Sequence, residues 1–432
     1  MRVLVTGAYG LIGSAVLARL YRDGYELVGG GRAVEEARRR FAYAQWIEAD
    51  FARLSTAQDW RPLLGGVDAV VNCVGVLQDG ARDDVQAVQV EGTCALFDAC
   101  VQAGIRRVIH VSAIGAAADG PTPFSRTKAQ ADAHLASLDI DWTILRPALV
   151  LAPAVYGGTA MLRGLAGFAL MTPVAGAASQ VQVVSVDDVA DTVALCLRSG
   201  TGAKATWELA HPRVLTLGDV VTALRSWHGF APQPLLRLPA ITQGVIAMFA
   251  EFAGMLGWRS PARSTAMAQL TNGVVGDPSI WANATGIKPK SLDTILADRP
   301  ASVQDRWFAR LYLLKPVAIV ALAAVWIASG VVALGPGRAA ALDHLTRAGL
   351  APANAELGLV VGSLIDIALG FAVCVRRFAR PALHGMLIVS LAYILIGTIA
   401  APQFWIDPLG PYVKIVPMLL ATCFTLAILD ER

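Results

Sequence analysis

Along the first 150 residues, short hydrophobic runs alternate with stretches whose apolar residues recur at helical spacing. The run Val3–Val5 leads into a glycine-rich turn, residues 11–20 place leucine and valine on one helix face, and Leu27–Val28 form the next run. Later runs typical of buried strands cover 67–75, 106–116 and 141–150, with helical patterns at 90–104 and 128–138 between them. This alternation predicts an α/β fold with a doubly wound parallel sheet, whose core we place in residues 1–150.

Residues 151–300 keep a mixed pattern and predict a smaller α/β lobe on the substrate side, interleaved with late strands of the sheet. Asp187 and Asp188 open a helix, where carboxylates complement the helix dipole and cap the first turn; a catalytic carboxylate pair is the alternative. The segment 241–258 carries one charge, Glu251, and its glycines and flanking prolines argue against a spanning helix. We interpret it as an apolar lid over the substrate cleft, with a lid that dips into the bilayer surface as the alternative.

Four apolar stretches dominate the C-terminal region, at about 315–335, 356–375, 382–400 and 412–429. Each approaches the roughly 20 residues that cross a bilayer, so we predict a four-helix transmembrane domain over residues 306–432. Basic residues are more numerous before the first stretch and between the second and third (Arg306, Arg310, Lys315, Arg376, Arg377, Arg380) than in the other loops (Arg338, Arg347, Lys414). This bias predicts a multi-pass protein of the cytoplasmic membrane with both termini and the N-terminal domain in the cytoplasm.

Composition narrows the class of protein. Of 432 residues 55% are hydrophobic and 16% charged, and the net charge of +3 argues against nucleic-acid binding by bulk electrostatics. The six cysteines form no CxxC pair and have no histidine at metal-ligand spacing, so we expect free thiols in a reducing compartment and no metal site. The chain opens with Met1-Arg2 directly before a strand, which predicts that it lacks a signal peptide.

The turn after the first strand has the spacing of a dinucleotide-binding loop. Gly7 permits the tight turn, Gly10 lets backbone approach a pyrophosphate, and Gly13 lets the helix pack on the strand. The helix N-terminus then offers N–H groups and a positive dipole to the phosphates. At the end of the second strand stands Arg32 instead of an acid, which favours NADP(H) over NAD(H) through bonds to the 2′-phosphate. The alternative is a solvated arginine at a basic helix start.

Several motifs occur together in a recognisable order: TGAYGLIG, AD-F at 49–51, NCVG, HVSAIGA, FSRTKAQAD, WTILRP and VSVDDVAD. Residues 1–300 thereby resemble an atypical, extended short-chain dehydrogenase/reductase with a Rossmann domain, similar to the NAD(P)H-binding proteins related to the nucleotide-binding accessory subunit of respiratory complex I. The resemblance implies a cofactor site whose phosphates are lined by Gly7, Tyr9, Gly10, Leu11, Ile12 and Gly13. On the adenosine side, it implies that Arg32 meets the 2′-phosphate, that Asp50 and Phe51 border the adenine, and that Val74 and Gly75 lie beside the ribose. On the nicotinamide side, it implies that Lys128 holds the ribose and that Arg146-Pro147 closes this end of the site.

The window FSRTK departs from this family at the position of its proton donor. The family places a tyrosine four residues before the lysine, and here Phe124 stands there without a hydroxyl. The helper serine expected two residues after Ser112 is replaced by Ile114. Ser125 and Tyr156 are weak substitutes, and we interpret His110 as a core residue and His134 as a surface residue. The window supports NADP(H) binding and argues against ordinary carbonyl reduction, whereas hydride transfer to a quinone or flavin needs less help from a protein acid.

The four-helix segment resembles the DoxX-like membrane family, some of whose members are linked to quinone reduction. Asp366 lies in the middle of the second stretch, which makes it a functional candidate, with an interhelical hydrogen bond as the structural alternative; its candidate partners are His384, Tyr393 and Lys414. Gly358 and Gly362 on the same helix predict close helix packing.

The leading hypothesis is an NADP(H)-binding oxidoreductase that is anchored in the lipid bilayer and acts on a lipid-soluble acceptor such as a quinone. The second is a non-catalytic NADPH sensor or assembly protein of a membrane complex. The third is sugar-nucleotide or steroid modification, which the missing catalytic groups weaken. The sequence leaves the substrate and the oligomeric state open.

Overall fold

The computed structural model describes residues 1–80, 83–408 and 410–430. Its contacts divide the chain into two compact units. The first unit contains Met1–Phe252 and Arg259–Ala309, and the second contains Ala253–Trp258 and the chain from Arg310 onward.

The strands are β1 (Arg2–Thr6), β2 (Glu26–Gly31), β3 (Gln45–Glu48), β4 (Ala69–Asn72), β5 (Arg107–Val111), β6 (Asp141–Pro147), β7 (Leu149–Leu151), β8 (Thr172–Ala175), β9 (Gln180–Val181), β10 (Val183–Ser185), β11 (Ala205–Leu209), β12 (Leu215–Thr216) and β13 (Leu235–Leu238). The helices are α1 (Leu11–Arg22), α2 (Val34–Arg40), α3 (Ala57–Trp60), α4 (Gly92–Gln102), α5 (Pro123–Ser137), α6 (Gly157–Ala166), α7 (Val186–Ser199), α8 (Leu217–Trp227), α9 (Ala240–Met255), α10 (Ser264–Thr271), α11 (Ser279–Thr285), α12 (Leu292–Ala297), α13 (Val303–Leu311), α14 (Leu314–Leu334), α15 (Arg338–Arg347), α16 (Pro352–Cys374), α17 (Arg376–Ala400) and α18 (Pro411–Ala427).

A seven-stranded parallel sheet forms the centre of the first unit, in the order β11-β6-β5-β4-β1-β2-β3. The predicted doubly wound parallel sheet is confirmed. The chain reverses its direction of travel across the sheet between β1 and β4, and in such sheets ligands bind outside the carboxyl ends of the strands at this point. A nucleotide site is therefore expected at this edge of the sheet.

Alternate residues of the central strands face two separate cores. On β1, Val3 and Val5 belong to the core that α1 and α7 cover, whereas Leu4 belongs to the core on the face of α4 and α5. Val71 and Val70 on β4 divide in the same way. A strand that is buried on both faces needs a continuous hydrophobic run, which explains why these segments lack the polar alternation of a half-exposed strand.

Two predicted elements differ from the structure at their ends. The run 141–150 forms β6 and β7, with Pro147 at the end of β6. The helix predicted from residue 128 begins at Pro123, because the Thr122 side chain accepts a hydrogen bond from the backbone N–H of Ser125 and caps it. The extra turn places Phe124 inside the first turn of α5.

The rest of the first unit has its own smaller core. Strand pairs β7–β10, β8–β13 and β9–β12 accompany α6 and α8, and their core contains Leu151, Leu162, Val181 and Val220. Asp187 and Asp188 lie in the first turn of α7, as the dipole argument predicts, but the N-cap is Ser185. The Asp188 carboxylate is buried and accepts the backbone N–H of Lys290 at 3.0 Å, which gives it a structural role.

In the second unit, α14, α16 and α17 are long and apolar enough to cross a membrane. The fourth predicted stretch forms α18, which is apolar but has 17 residues and contains Pro417. Close packing of α14 on α16 uses Gly330 and Gly370, since a Cβ at either would collide with the facing helix. Close helix packing was predicted at Gly358, and this prediction is wrong, because a Cβ at that position would meet open space.

Asp366 lies at the centre of a polar layer between three of these helices. Its carboxylate accepts hydrogen bonds from Ser329 of α14 and Tyr393 of α17, each at 3.1 Å. Of the three partners considered from the sequence, the structure therefore pairs it with Tyr393, and Ser329 is an additional one. Two hydroxyl donors from neighbouring helices satisfy a carboxyl group that hydrocarbon would otherwise penalise.

Candidate nucleotide-binding site

The glycine turn between β1 and α1 brings backbone close to the end of β4. Gly7 has a φ of +64°, and a Cβ there would lie 2.8 Å from the carbonyl oxygen of Cys73. Gly10 is the N-cap of α1 and donates its N–H to the Gly7 carbonyl at 2.9 Å, and a Cβ at Gly13 would collide with that carbonyl. These glycines hold a loop that leads the first-turn amides of α1 to the carboxyl edge of the sheet.

The other residues expected along the phosphates have different surroundings. Leu11 and Ile12 begin α1 and pack, half-buried, on the core that α1 shares with α7. The Tyr9 ring reaches the end of β2, where its hydroxyl accepts the backbone N–H of Arg32 at 3.0 Å. Glycine at position 31 leaves room for this ring, because a Cβ there would overlap it. The structure therefore places Tyr9 beside Arg32.

Arg32 takes part in a cluster that the sequence did not predict. Its Nη2 lies 2.8 Å from Oδ1 of Asp83, and Nη2 of Arg259 lies 2.7 Å from the other oxygen of the same carboxylate. The Asp83 side chain is 14% exposed, whereas the side chains of Arg32 and Arg259 are 39% and 44% exposed. Two cations against one anion leave this corner with a net positive charge. No local spacing links Arg259 to the second strand, so only the folded chain identifies it.

A cavity of about 570 Å³ adjoins Arg32 at the ends of β2 and β3. Arg38, Arg39 and Glu48 are among its lining residues. The charges of both signs suit a polar, hydrated ligand group rather than an apolar one, and the cavity gives the Arg32 side chain room to meet such a group from outside.

The residues expected beside the adenine lie in unequal environments. Phe51 is 4% exposed and packs edge-on against Trp60, with ring centroids 4.8 Å apart, so it belongs to the core. Asp50 is partly exposed and lies 3.5 Å from Arg53. Asp50 is therefore the more accessible of the two predicted residues at the end of β3.

Lys128 lies at the carboxyl ends of the central strands. Its Nζ donates to the carbonyl oxygens of Val74 at 3.3 Å and Val111 at 3.0 Å, and a Cβ at Gly75 would lie 3.5 Å from it. Burial lowers the pKa of Lys128 to about 8, and the negative charge of Asp132 opposes that shift. The structure thus brings together Lys128 with Val74 and Gly75, which the sequence had placed beside the ribose.

A buried ion pair supports this part of the sheet. Asp132 follows Lys128 by one helical turn, and its Oδ2 accepts hydrogen bonds from Ser112 at 2.9 Å and from Nε and Nη2 of Arg146 at 2.9 and 2.8 Å. Burial raises the pKa of Asp132, and Arg146 acts against that shift. The Arg146 side chain is therefore committed to the ion pair with Asp132. The sequence signal for this pair was an acid four residues after Lys128, one helical turn away, and it was missed.

His110 belongs to the core, as predicted. Its Nδ1 lies 3.2 Å from Nδ2 of Asn72, whose Oδ1 accepts the Thr6 hydroxyl at 2.7 Å. Burial lowers the pKa of His110 well below its usual value, and the Lys128 ammonium adds to this shift. The imidazole is therefore neutral and orders the ends of β1, β4 and β5.

The positions of the missing acids hold side chains that cannot donate a proton. Phe124 is half-buried on α5, and Ile114 packs with Ala148 and Ala210. The Ser125 hydroxyl donates to the carbonyl of Gly115, so it is committed to the turn before α5. Tyr156 precedes α6 with 39% of its surface exposed. Of the three groups expected from the family, Lys128 is the one that this chain retains.

The residues present fit a dinucleotide diphosphate. The first turn of α1 contains no acidic side chain, and no side chain caps its N-terminus in the part of the chain that the structure describes. Its N–H groups therefore face the carboxyl edge of the sheet without a competing anion, above glycines at which a Cβ would fill the space. Lys128 supplies a buried cation at the same edge, where it bonds the carbonyl oxygen of Val74.

Comparisons with known proteins agree with both units. Residues 7–199 match the NAD(P)H-binding family model, and residues 323–423 match the DoxX-like family model. Over 330 residues, 71% of this chain and 99% of the relative, the chain is 25% identical to sterol demethylase protein B of Methylococcus capsulatus.

Solved structures share the fold of the first unit. The enzyme WbmG of Bordetella bronchiseptica in complex with NAD and UDP superposes with a TM-score of 0.54 at 19% identity, covering 72% of this chain and 96% of that one. The UDP-glucose 4-epimerase of Thermotoga maritima gives 0.51 at 17% identity, covering 73% and 99%. The expected resemblance is confirmed in outline: the chain joins a Rossmann-like domain that matches the NAD(P)H-binding family model to a region that matches the DoxX-like family model.

Proposed function

We propose that the protein is an NADP(H)-dependent oxidoreductase of the cytoplasmic membrane that reduces a lipid-soluble acceptor, a quinone in the first instance. The proposal rests on a contrast between retained and lost groups: Lys128 lies at the strand ends, whereas Phe124 and Ile114 stand where the family has its proton donors. The same chain also has helices long and apolar enough to cross a membrane. A reductase of this composition retains cofactor binding and loses the usual means of carbonyl reduction.

The chain's own residues would hold the cofactor as follows. The amides of the glycine turn and of the first turn of α1 receive the pyrophosphate, and Arg32 with Arg259 receives the 2′-phosphate of the adenosine ribose. Asp50 is the accessible group on the adenine side. Lys128 orients the nicotinamide ribose, because its ammonium group lies beside Val74 and Gly75.

When bound, NADPH supplies a hydride to the acceptor. A quinone that takes up one hydride and one proton becomes a quinol, and its ring delocalises the negative charge that the hydride brings. The proton can then arrive from water after the hydride, so an acid at position 124 is not required. Phe124 instead contributes apolar surface, which excludes water and favours a hydrophobic ring.

One relative supports a lipid-soluble substrate. Sterol demethylase protein B bears the name of a process on a sterol, and it aligns over almost its whole length. A sterol or a related isoprenoid compound is therefore the next acceptor to test. Tethering the nucleotide unit to the bilayer would raise its encounter rate with any such compound.

Phe124 and Ile114 also favour a second candidate function. A protein that binds NADPH without transferring its hydride would act as a sensor of the reduced cofactor or as an assembly factor of a membrane complex. In that case NADPH would stabilise the fold, and turnover would be absent with every acceptor.

The test uses the full-length protein in proteoliposomes under anaerobic conditions. NADPH oxidation is followed at 340 nm with short-chain ubiquinone, with menaquinone and with a sterol ketone, and NADPH binding is measured on the same sample. Turnover that Lys128→Met abolishes supports the reductase. Binding without turnover supports the sensor, and carbonyl reduction that appears only in Phe124→Tyr would show a disabled site. Protection of the nucleotide unit from protease in intact spheroplasts tests its cytoplasmic position.

A further inference from the structure

Helix α9 presents its large hydrophobic side chains to the outside of the protein. Six of them are exposed by between 49% and 82% of their surface: Ile241, Val245, Met248, Phe249, Phe252 and Met255. At about 100° per residue, these six positions fall within an arc of about 120° on the helix. The pattern is regular, so it reflects one apolar face rather than scattered surface residues.

The opposite side of α9 carries the partly buried side chains of Gln243 and Ile246. Ala250, on the far side of the arc, is 7% exposed. The charge of Glu251 is bound by Arg263, whose Nε lies 2.6 Å away, and by the hydroxyl of Ser264 at 2.8 Å. A helix that packs on a protein core normally turns its bulky residues inward, and α9 does the reverse. Apolar surface of this extent marks an interaction site.

The residues that directly follow α9 contact the ends of two apolar helices of the second unit. Within the second unit, the carbonyl of Leu256 accepts the backbone N–H of Arg376 at 2.9 Å, and Nε1 of Trp258 donates to the carbonyl of Cys374 at 2.6 Å. The Arg376 guanidinium lies over the Trp258 ring, 5.4 Å from its centroid. These contacts are at the junction where α16 ends and α17 begins, which is one end of two membrane-spanning helices. Tryptophan and arginine are typical of the membrane–water interface.

The length of α9 excludes a transmembrane course. Sixteen residues extend about 24 Å, less than the roughly 30 Å of the hydrocarbon core. The strand that leads into the helix also exposes an apolar residue, Leu236, and Leu170, just before its partner strand β8, is 80% exposed.

We infer that α9 is an interfacial helix, which lies along the bilayer surface with its apolar arc among the lipid acyl chains. Its end is held at the junction of α16 and α17, where Arg376, Arg377 and Arg380 suit anionic lipid headgroups. The inference depends on the membrane anchorage in the proposed function and not on which acceptor is reduced.

Spin-label accessibility tests this inference on the full-length protein in vesicles of phosphatidylethanolamine and phosphatidylglycerol. Labels are placed through Met248→Cys and Phe252→Cys on α9, and through Gln130→Cys on the exposed side of α5 as the control, in a background with the native cysteines replaced by alanine. NADPH binding checks that each variant is folded, because none of these three positions belongs to the proposed cofactor site.

For labels in lipid, collisions with oxygen exceed those with the water-soluble complex Ni-EDDA, and we expect this at 248 and 252 but the reverse at 130. Access of Ni-EDDA to 248 and 252 overturns the inference, because it places the arc in water. Protection from both reagents also overturns it, since protein would then cover the arc, either a second copy or the cleft of the same chain. The measurement requires no turnover, so its outcome is separate from that of the NADPH oxidation assay.

Discussion

Removal of the Arg32 side chain should weaken NADPH binding selectively. The guanidinium groups of Arg32 and Arg259 lie 2.8 and 2.7 Å from one carboxylate, that of Asp83, and both are charged donors at the position proposed for the 2′-phosphate. A 2′-phosphate is the part of NADPH that NADH lacks, so only NADPH gains bonds from these arginines. We therefore expect Arg32→Ala to change the preference between the two cofactors.

The size of the effect follows from the bonds that are lost. A hydrogen bond to a charged group contributes about 1.5–3 kcal/mol, and because the Arg32 side chain is 39% exposed, solvent screening brings its contribution to the lower end of this range. This corresponds to a roughly tenfold rise in the Kd for NADPH. The Kd for NADH should change by less than about twofold, because its ribose carries no phosphate. Arg259→Ala should act in the same direction.

Calorimetric titration of the detergent-solubilised full-length protein measures both dissociation constants. Arg22→Ala is the matched control, since Arg22 is exposed in the last turn of α1, at the opposite end of that helix from the glycine turn. Equal weakening of NADPH and NADH would show that Arg32 supports the fold of the site. An unchanged Kd for NADPH would show that the 2′-phosphate binds elsewhere, and either result refutes the reasoning.

Four further predictions concern single residues. Gly13→Ala should abolish NADPH binding, because its Cβ would collide with the turn, whereas Gly158→Ala, which meets open space, should leave the calorimetric Kd unchanged. Burial lowers the pKa of Lys128 to about 8, and only its ammonium form can donate to the ribose. NADPH affinity should therefore fall as the pH rises through about 8, by up to tenfold per pH unit. Lys128→Met should remove this pH dependence in the same calorimetric titration. Asp132→Asn should lower the free energy of unfolding by about 2 kcal/mol in urea denaturation, since the partly buried guanidinium of Arg146 loses its carboxylate, and a neutral effect would contradict the ion-pair argument. Asp366→Leu should destabilise the membrane unit by about 1–2 kcal/mol in lipid, measured by steric trapping, because two hydroxyl donors lose their acceptor, and a gain in stability would contradict this.

At the candidate site, the local sequence predicted some residues correctly and missed others. Gly10 and Gly13 were predictable, because their steric requirements belong to one turn and its neighbouring helix, and Gly7 was predictable from the tight turn, although its Cβ would also meet Cys73 after β4. Phe51 was expected at the adenine and lies in the core, since its burial depends on Trp60 and on α4. Arg259 was not predicted at all, because the loop after β4 brings it to Arg32 through Asp83.

By itself, the sequence determined the parallel α/β sheet, the dinucleotide-binding turn, the loss of the proton donor at Phe124 and the apolar C-terminal region. These properties depend on periodicity, residue chemistry and steric limits within about 20 residues, which any short window of the chain contains. The tertiary structure decided which arginines share Asp83, which glycines allow α14 to approach α16, and that α9 turns its apolar face outward. Such contacts join residues far apart in the chain, and their geometry is settled only when all the elements pack together.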